Sequence, residues 1–258
     1  MQLCTSSRTL QGNKPKGCID MKHQFLKKRY LIPLIALIVA LVTLSIVYFA
    51  LLLPQKREEE KMQETIRAYR AAKLEQYERE NAEYDDYEVD VAFIGDSLTD
   101  GYDLAKYYPQ YLTANRGIGG DTTFGLEERL QVSLYDLKPK VVVMLIGANN
   151  MDSMFENYES ILQGLKENLP ESKIVLLSLT AMGGEHWGRK NQLAAYNNVT
   201  IKLLAERYGY EFVDLYSALY DVSIGEVYEG YSKDIFRLWK THSAARRRRT
   251  RIFLLIQG

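Results

Sequence analysis

The chain is poor in cysteine and histidine. Of its 258 residues two are cysteine, Cys4 and Cys18, and three are histidine, His23, His186 and His242. Both cysteines precede a long apolar run at residues 31–53, so no disulfide can form within the part that follows, which excludes a disulfide-stapled secreted scaffold. His, Cys and carboxylate residues show no cluster at metal-ligand spacing, so no metal and no other cofactor is implied. Net charge is lacking too: 33 basic residues balance 33 acidic ones, which gives no pull toward nucleic acid. A domain of roughly 150 to 200 residues buries a full core, so the length suits one globular unit with accessories.

What is abundant is apolar character in one place. Leu31 to Leu53 reads LIPLIALIVALVTLSIVYFALLL, without a charge and with about enough residues to cross a ~30 Å hydrocarbon core as a helix. A cleaved signal peptide has a shorter apolar stretch and a small-residue cleavage site, and this run ends in LLLPQKREEE, so an uncleaved anchor is expected. Lys22, Lys27, Lys28 and Arg29 precede it, which places residues 1–30 in the cytoplasm and everything after 53 outside. An outer part without disulfides suits a bacterial surface protein. Met21 opens a second plausible start, MKHQFLKKRY.

Residues 54–86 are rich in Glu, Lys, Arg, Gln and Ala, with no sustained a/d heptads, and are expected to form a charged, solvated helical stalk. From 87 to 241 a different pattern begins. The runs VDVAFIG (89–95), KVVVMLIG (140–147), KIVLLSL (173–179) and EFVDL (211–215) look like strands buried on both faces. Amphipathic segments at Thr123–Leu137, Met154–Asn168 and Lys190–Tyr208 alternate with them, which predicts an α/β fold: a three-layer α/β/α sandwich on a parallel sheet. Ligands in such sheets bind beyond the carboxyl ends of the strands.

Three short motifs fall at those ends. Gly95-Asp96-Ser97-Leu98 follows the first strand, where a tight turn can expose a serine hydroxyl beside backbone N–H groups; the alternative is that Asp96 or Ser97 only caps the next helix. Asn115-Arg-Gly-Ile-Gly-Gly-Asp-Thr-Thr123 is expected between a short strand and a helix, and holds three glycines that permit positive φ and close backbone approach. Leu145-Ile-Gly-Ala-Asn-Asn150 ends a buried strand and offers side-chain amides that donate without changing charge.

Taken in this order, Gly-Asp-Ser-Leu, Gly-Ile-Gly-Gly-Asp-Thr-Thr and Gly-Ala-Asn-Asn resemble the SGNH (GDSL-type) hydrolase family over about residues 89 to 234. The resemblance implies a flavodoxin-like parallel sheet and a serine esterase or acyl hydrolase, which the apolar run at 31–53 would make membrane-anchored and extracytoplasmic. Ser97 would be the nucleophile, and Gly120 through its N–H and Asn149 through its amide would hold the oxyanion. Asp96 and Asp121 would be supporting residues near the substrate. The partners implied are an ester-containing small molecule, O-acetylated glycan or lipid, and the membrane through residues 31–53, but no nucleic acid. Asn150 stands where the family often has Asp.

The serine needs a general base, which in this family comes from a late Asp-x-x-His. Asp234 is in place, but three residues on stands Arg237, whose guanidinium stays protonated and cannot accept the proton at neutral pH. His186, in MGGEHWGRK, falls in a loop expected to border the pocket and is a candidate substrate contact; His242 is eight residues past Asp234. Residues 242–258, HSAARRRRTRIFLLIQG, break with the preceding composition. They read either as a basic tail for anionic polymer or lipid headgroups or, as favoured here, as the product of a shifted reading frame. A chain that has lost its base also fits a second function, a non-catalytic surface module that binds acylated glycans.

Overall fold

A computed structural model describes residues 17–183, 188–221, 223 and 226–227. The chain divides into two compact units, Met1–Arg67 and Ala68–Gly258.

The first unit holds α1 (Gly17–Val47), a π-helical turn (Tyr48–Leu52) and the start of α2 (Leu53–Asn81). Every residue from Tyr30 to Ala50 is exposed. The Thr43 and Ser45 hydroxyls of this apolar stretch are turned back on the helix, Thr43 donating to the Ala40 carbonyl at 2.9 Å and Ser45 to that of Leu41 at 2.8 Å. Polar groups satisfied in this way cost little in an apolar solvent. By length and composition this helix is able to cross a membrane.

The second unit is an α/β domain. Its five strands are β1 (Val91–Gly95), β2 (Thr113–Gly117), β3 (Val141–Leu145), β4 (Lys173–Leu177) and β5 (Glu211–Val213), all parallel, in the order β2-β1-β3-β4-β5. This is the flavodoxin-like order, whose switch point lies between β1 and β3. Alternate residues of each central strand enter two separate cores. Ala92, Ile94, Val142, Met144, Ile174 and Leu176 face one side; Val91, Phe93, Val141, Val143, Val175 and Leu177 face the other. Burial on both faces is why these strands read as continuous apolar runs.

The connecting helices are α3 (Ser97–Asp100), α4 (Leu104–Tyr107), α5 (Thr123–Glu128), α6 (Tyr158–Asn168), α7 (Gly188–Tyr208) and α8 (Tyr216–Leu219). A two-stranded antiparallel pair, β6 (Tyr220–Asp221) and β7 (Glu226–Val227), follows. Two elements differ from expectation. The helix expected over 123–137 stops at Glu128 and resumes as a π-helical turn at Gln131–Tyr135. The break falls at Arg129, whose side chain is drawn into the interior. The helix expected over 154–168 begins as a 3-10 turn, Met154–Glu156, and becomes α6 only after Asn157.

The stalk also departs from expectation at its C-terminal end. Arg70, Lys73, Leu74, Tyr77, Glu80 and Asn81 are the residues of α2 from 68 onward that lose exposure, at the spacing of one helical face. Tyr77 is fully buried and donates its hydroxyl to the Gly117 carbonyl of edge strand β2 at 2.6 Å. The buried Arg116 of β2 lies 4.6 Å from the Tyr77 ring centroid and bonds Glu80 and Asn81. The end of α2 thus covers a strand edge that would otherwise be open.

Candidate active site

The parallel register places Gly95 of β1 beside Gly117 of β2 and Leu145 of β3, so the three motifs leave the sheet at one end, around the switch point. The end of β1 is packed without spare room. A Cβ on Gly95 would lie 2.1 Å from the Leu145 carbonyl oxygen and 2.4 Å from Thr99 Oγ1, so only glycine fits. Ser97 follows as the first residue of α3 and is half-buried. Asp96 caps this helix, its Oδ1 accepting the Leu98 N–H at 3.0 Å. Capping is therefore one real role of Asp96. Burial pushes its carboxyl up to about 6; the Leu98 N–H opposes that rise and the nearby Asp121 carboxylate adds to it.

α3 is a single turn, and strand β2 braces it. One side-chain amide, that of Asn115, donates to the carbonyls of Thr99, Asp100 and Tyr102 at 2.8, 3.3 and 3.2 Å. The same side chain accepts the Gly117 N–H at 2.9 Å.

The second motif runs off β2. Ile118 N–H donates to the Gly95 carbonyl at 3.1 Å, tying the first two loops together. Gly120 has φ of 78°, a left-handed value that disfavours any side chain, and there is open space where its Cβ would be. Asp121 is buried between two arginines, accepting from Arg129 Nε at 2.7 Å and Arg70 Nη1 at 2.8 Å. Arg129 also donates to the carbonyls of Arg116 and Gly95 and to Ser133 Oγ. Burial lowers its pKa from the ordinary value while Asp121 holds the charge in place.

The third motif closes on the second. Asn149 Nδ2 donates to the Asp121 carbonyl at 2.8 Å. An amide nitrogen has two N–H groups, so this bond fixes the carboxamide and leaves the other N–H to donate elsewhere. Asn150 accepts the Thr123 N–H at 3.2 Å and donates to Thr123 Oγ1 at 2.8 Å. The residue that departs from the resemblance is thus a brace for the same loop.

Ser97, Gly120 and Asn149, with Asp96 and Asp121, are therefore carried on three loops that hydrogen-bond to one another. In such a frame a hydroxyl is able to act as a nucleophile, and backbone N–H groups and a carboxamide are able to donate to an oxyanion. Asp234, Arg237, His186 and His242 lie outside the described residues, and so does the basic tail. Among the described residues there is no group of His, Cys, Asp and Glu able to hold a metal. Sequence reasoning missed Asn115, Arg129, Arg70 and Asp100. Only Asn115 had a signal, as the first residue of a singled-out motif.

The parallel α/β fold agrees with what comparison with known proteins shows. The chain belongs to the GDSL-like Lipase/Acylhydrolase family, whose sequence model matches residues 93–235, more than half of its length. Among its relatives is platelet-activating factor acetylhydrolase IB subunit alpha2 of Rattus norvegicus, 36% identical over 119 residues, which are 43% of this chain and 52% of the relative. The Homo sapiens protein of that name matches equally. The chain thus spans about half the length of these curated relatives. In structure it is similar to a GDSL-like lipase from Bacteroides thetaiotaomicron, with a TM-score of 0.59 and 22% identity, covering 71% of this chain and 97% of that one. A Bacteroides fragilis protein described as an acylhydrolase gives 0.58 and 25%, over 71% and 95%.

Proposed function

We propose that this protein is a membrane-anchored serine esterase whose catalytic domain lies outside the cytoplasm. Ser97 attacks the carbonyl of an ester, and the N–H groups of Ser97 and Gly120 with the Asn149 amide stabilise the oxyanion. The alcohol leaves, and water then releases the acyl group from Ser97. Asp96 and Asp121 hold the loops rather than react, and Asp234 belongs to the acid-base part of the site. The name of the acetylhydrolase relatives favours a short acyl group such as acetyl. The location favours an O-acetylated envelope glycan or a lipid ester as its source. The helix at 31–53 serves as the anchor, with residues 1–30 on the cytoplasmic side.

The observation that carries this reading is the bond from Asn149 to the Asp121 carbonyl, which seats the carboxamide on the loop that contains Gly120. The test is hydrolysis of a short-chain nitrophenyl ester by the full chain in detergent, compared with Ser97→Ala. Loss of the serine is expected to cost about 1,000-fold or more in kcat. Equal rates for the two proteins would remove the esterase claim.

One observation favours the second reading, a module that binds acylated glycans without cleaving them. Arg237 stands three residues after Asp234, where the resemblance implies histidine. Binding of an acetylated oligosaccharide that survives Ser97→Ala, with no turnover by either protein, would establish it.

A further inference from the structure

Two carboxylates flank the Gly119–Gly120 turn, Asp100 through its bond to the Gly119 N–H and Asp121 as the next residue, and both are held from α2, far back in the chain. Asp100 ends the helix that begins with Ser97. Its Oδ2 accepts the Gly119 N–H at 3.1 Å and the Tyr69 hydroxyl, and its Oδ1 pairs with Lys73 Nζ at 2.7 Å. Asp121, on the other side of Gly120, takes Arg70 on Oδ1 at 2.8 Å. The Arg70 guanidinium also donates to the Gly125 carbonyl and fills the gap which that glycine leaves, for a Cβ there would meet Arg70 Nη1 at 2.5 Å. One turn of α2 therefore grips the loop on both flanks, through Tyr69 and Lys73 before the two glycines and through Arg70 after them.

The helix is not needed to keep these carboxylates from being buried alone. Asp121 already has Arg129, and the Asp100 side chain retains 16% exposure. Arg70 and Lys73 are themselves partly in solvent, at 29% and 23%. The Lys73–Asp100 pair, open to solvent at both ends, contributes little to global stability, and Asp121 keeps a buried partner in Arg129 without Arg70. What they fix is local: the path of a turn whose residue at positive φ has no side chain to lock it.

We propose that Tyr69, Arg70 and Lys73 are positioning residues of the active site, which act through Asp100 and Asp121 to aim the Gly120 N–H at the reacting carbonyl. This rests on the esterase reading of Ser97, Gly120 and Asn149. The functional domain then begins at about residue 68 rather than 87, and the end of the supposed stalk is part of the site.

The test uses the full chain in detergent with Arg70→Met, Arg70→Lys and Lys73→Met. Two readouts are taken: kcat and KM on a short-chain nitrophenyl ester, and amide hydrogen exchange of 117–121 against β3. Arg70→Met is expected to lower kcat by about 10- to 100-fold with KM changed less than about twofold, as a misplaced donor does. Exchange should accelerate at 117–121 and stay unchanged in Val141–Leu145. Arg70→Lys should recover part of the loss, because it restores the charge on Asp121 but not the fork to Gly125. An unchanged kcat overturns the proposal, and so does exchange that accelerates equally in β3, the mark of a merely structural role. If the wild-type rate equals that of Ser97→Ala, the esterase reading fails by itself. Exchange then decides alone: acceleration confined to 117–121 supports the grip, and none overturns it.

Discussion

Residues 54–67 and 68–81 belong to one helix and share one composition of Glu, Lys, Arg and Gln, yet their charges end differently. In the first stretch they pair with each other across exposed turns, Lys56 with Glu60 at 4.0 Å and Lys61 with Glu58 at 3.0 Å. In the second, Arg70, Lys73 and Glu80 reach Asp121, Asp100 and Arg116, residues about 27 to 51 positions away that the sheet brings to its own edge. Charge on a helix therefore does not by itself mean solvation. What separates the two stretches is one buried tyrosine and the presence of buried partners of opposite sign.

The difference is broken most severely at Tyr77, the apolar pin of the second stretch. Tyr77→Ala removes a fully buried ring, its hydrogen bond to Gly117 and its contact with the Arg116 guanidinium. A loss of about 3 to 5 kcal/mol is expected in the unfolding of the full chain in detergent. A loss under about 1 kcal/mol would show that the helix end only rests on the domain.

A carboxylate that α2 does not reach sharpens the contrast. Asp96 is buried and has no ion pair among the described residues, and its pKa is raised to about 6 from an ordinary 3.8. Since the raised value favours the neutral folded form, its contribution to stability is full below about pH 4 and is lost as pH climbs through 6. The loss amounts to roughly 3 kcal/mol. Asp96→Asn keeps an acceptor for the Leu98 N–H but cannot ionise, so its stability relative to wild type should rise between pH 4 and 8. Melting temperatures that differ by a constant amount across that range would contradict this.

The smallest effect belongs to the first stretch. Lys61→Ala breaks only the exposed pair with Glu58 and should change stability by a few tenths of a kcal/mol, less still at high salt. A cost above about 1 kcal/mol would mean that residues 54–67 have partners of their own.

Much of this was legible from sequence for a simple reason. Strands such as Val141–Leu145 are buried on both faces and so announce themselves as unbroken apolar runs, and Ser97 and Asn149 come shortly after such runs. Arg129 and Arg70 gave no comparable signal. Each looks like an ordinary charge on an amphipathic or polar helix, and only the fold shows that both meet Asp121. β2 was expected only as a short strand without bounds, because an edge strand reading Thr-Ala-Asn-Arg-Gly has no apolar run of its own and is covered by α2.

The bonds from Asn115 have a consequence for how the serine comes to be where it is. A lone four-residue turn lies below the length at which helices sustain themselves, so α3 has no cooperativity to hold its shape. Its carbonyl end is finished instead by an amide lent from the neighbouring strand. Ser97 therefore inherits its position from β2: its hydroxyl is set in place only where β2 has paired with β1 and brought Asn115 to the end of α3.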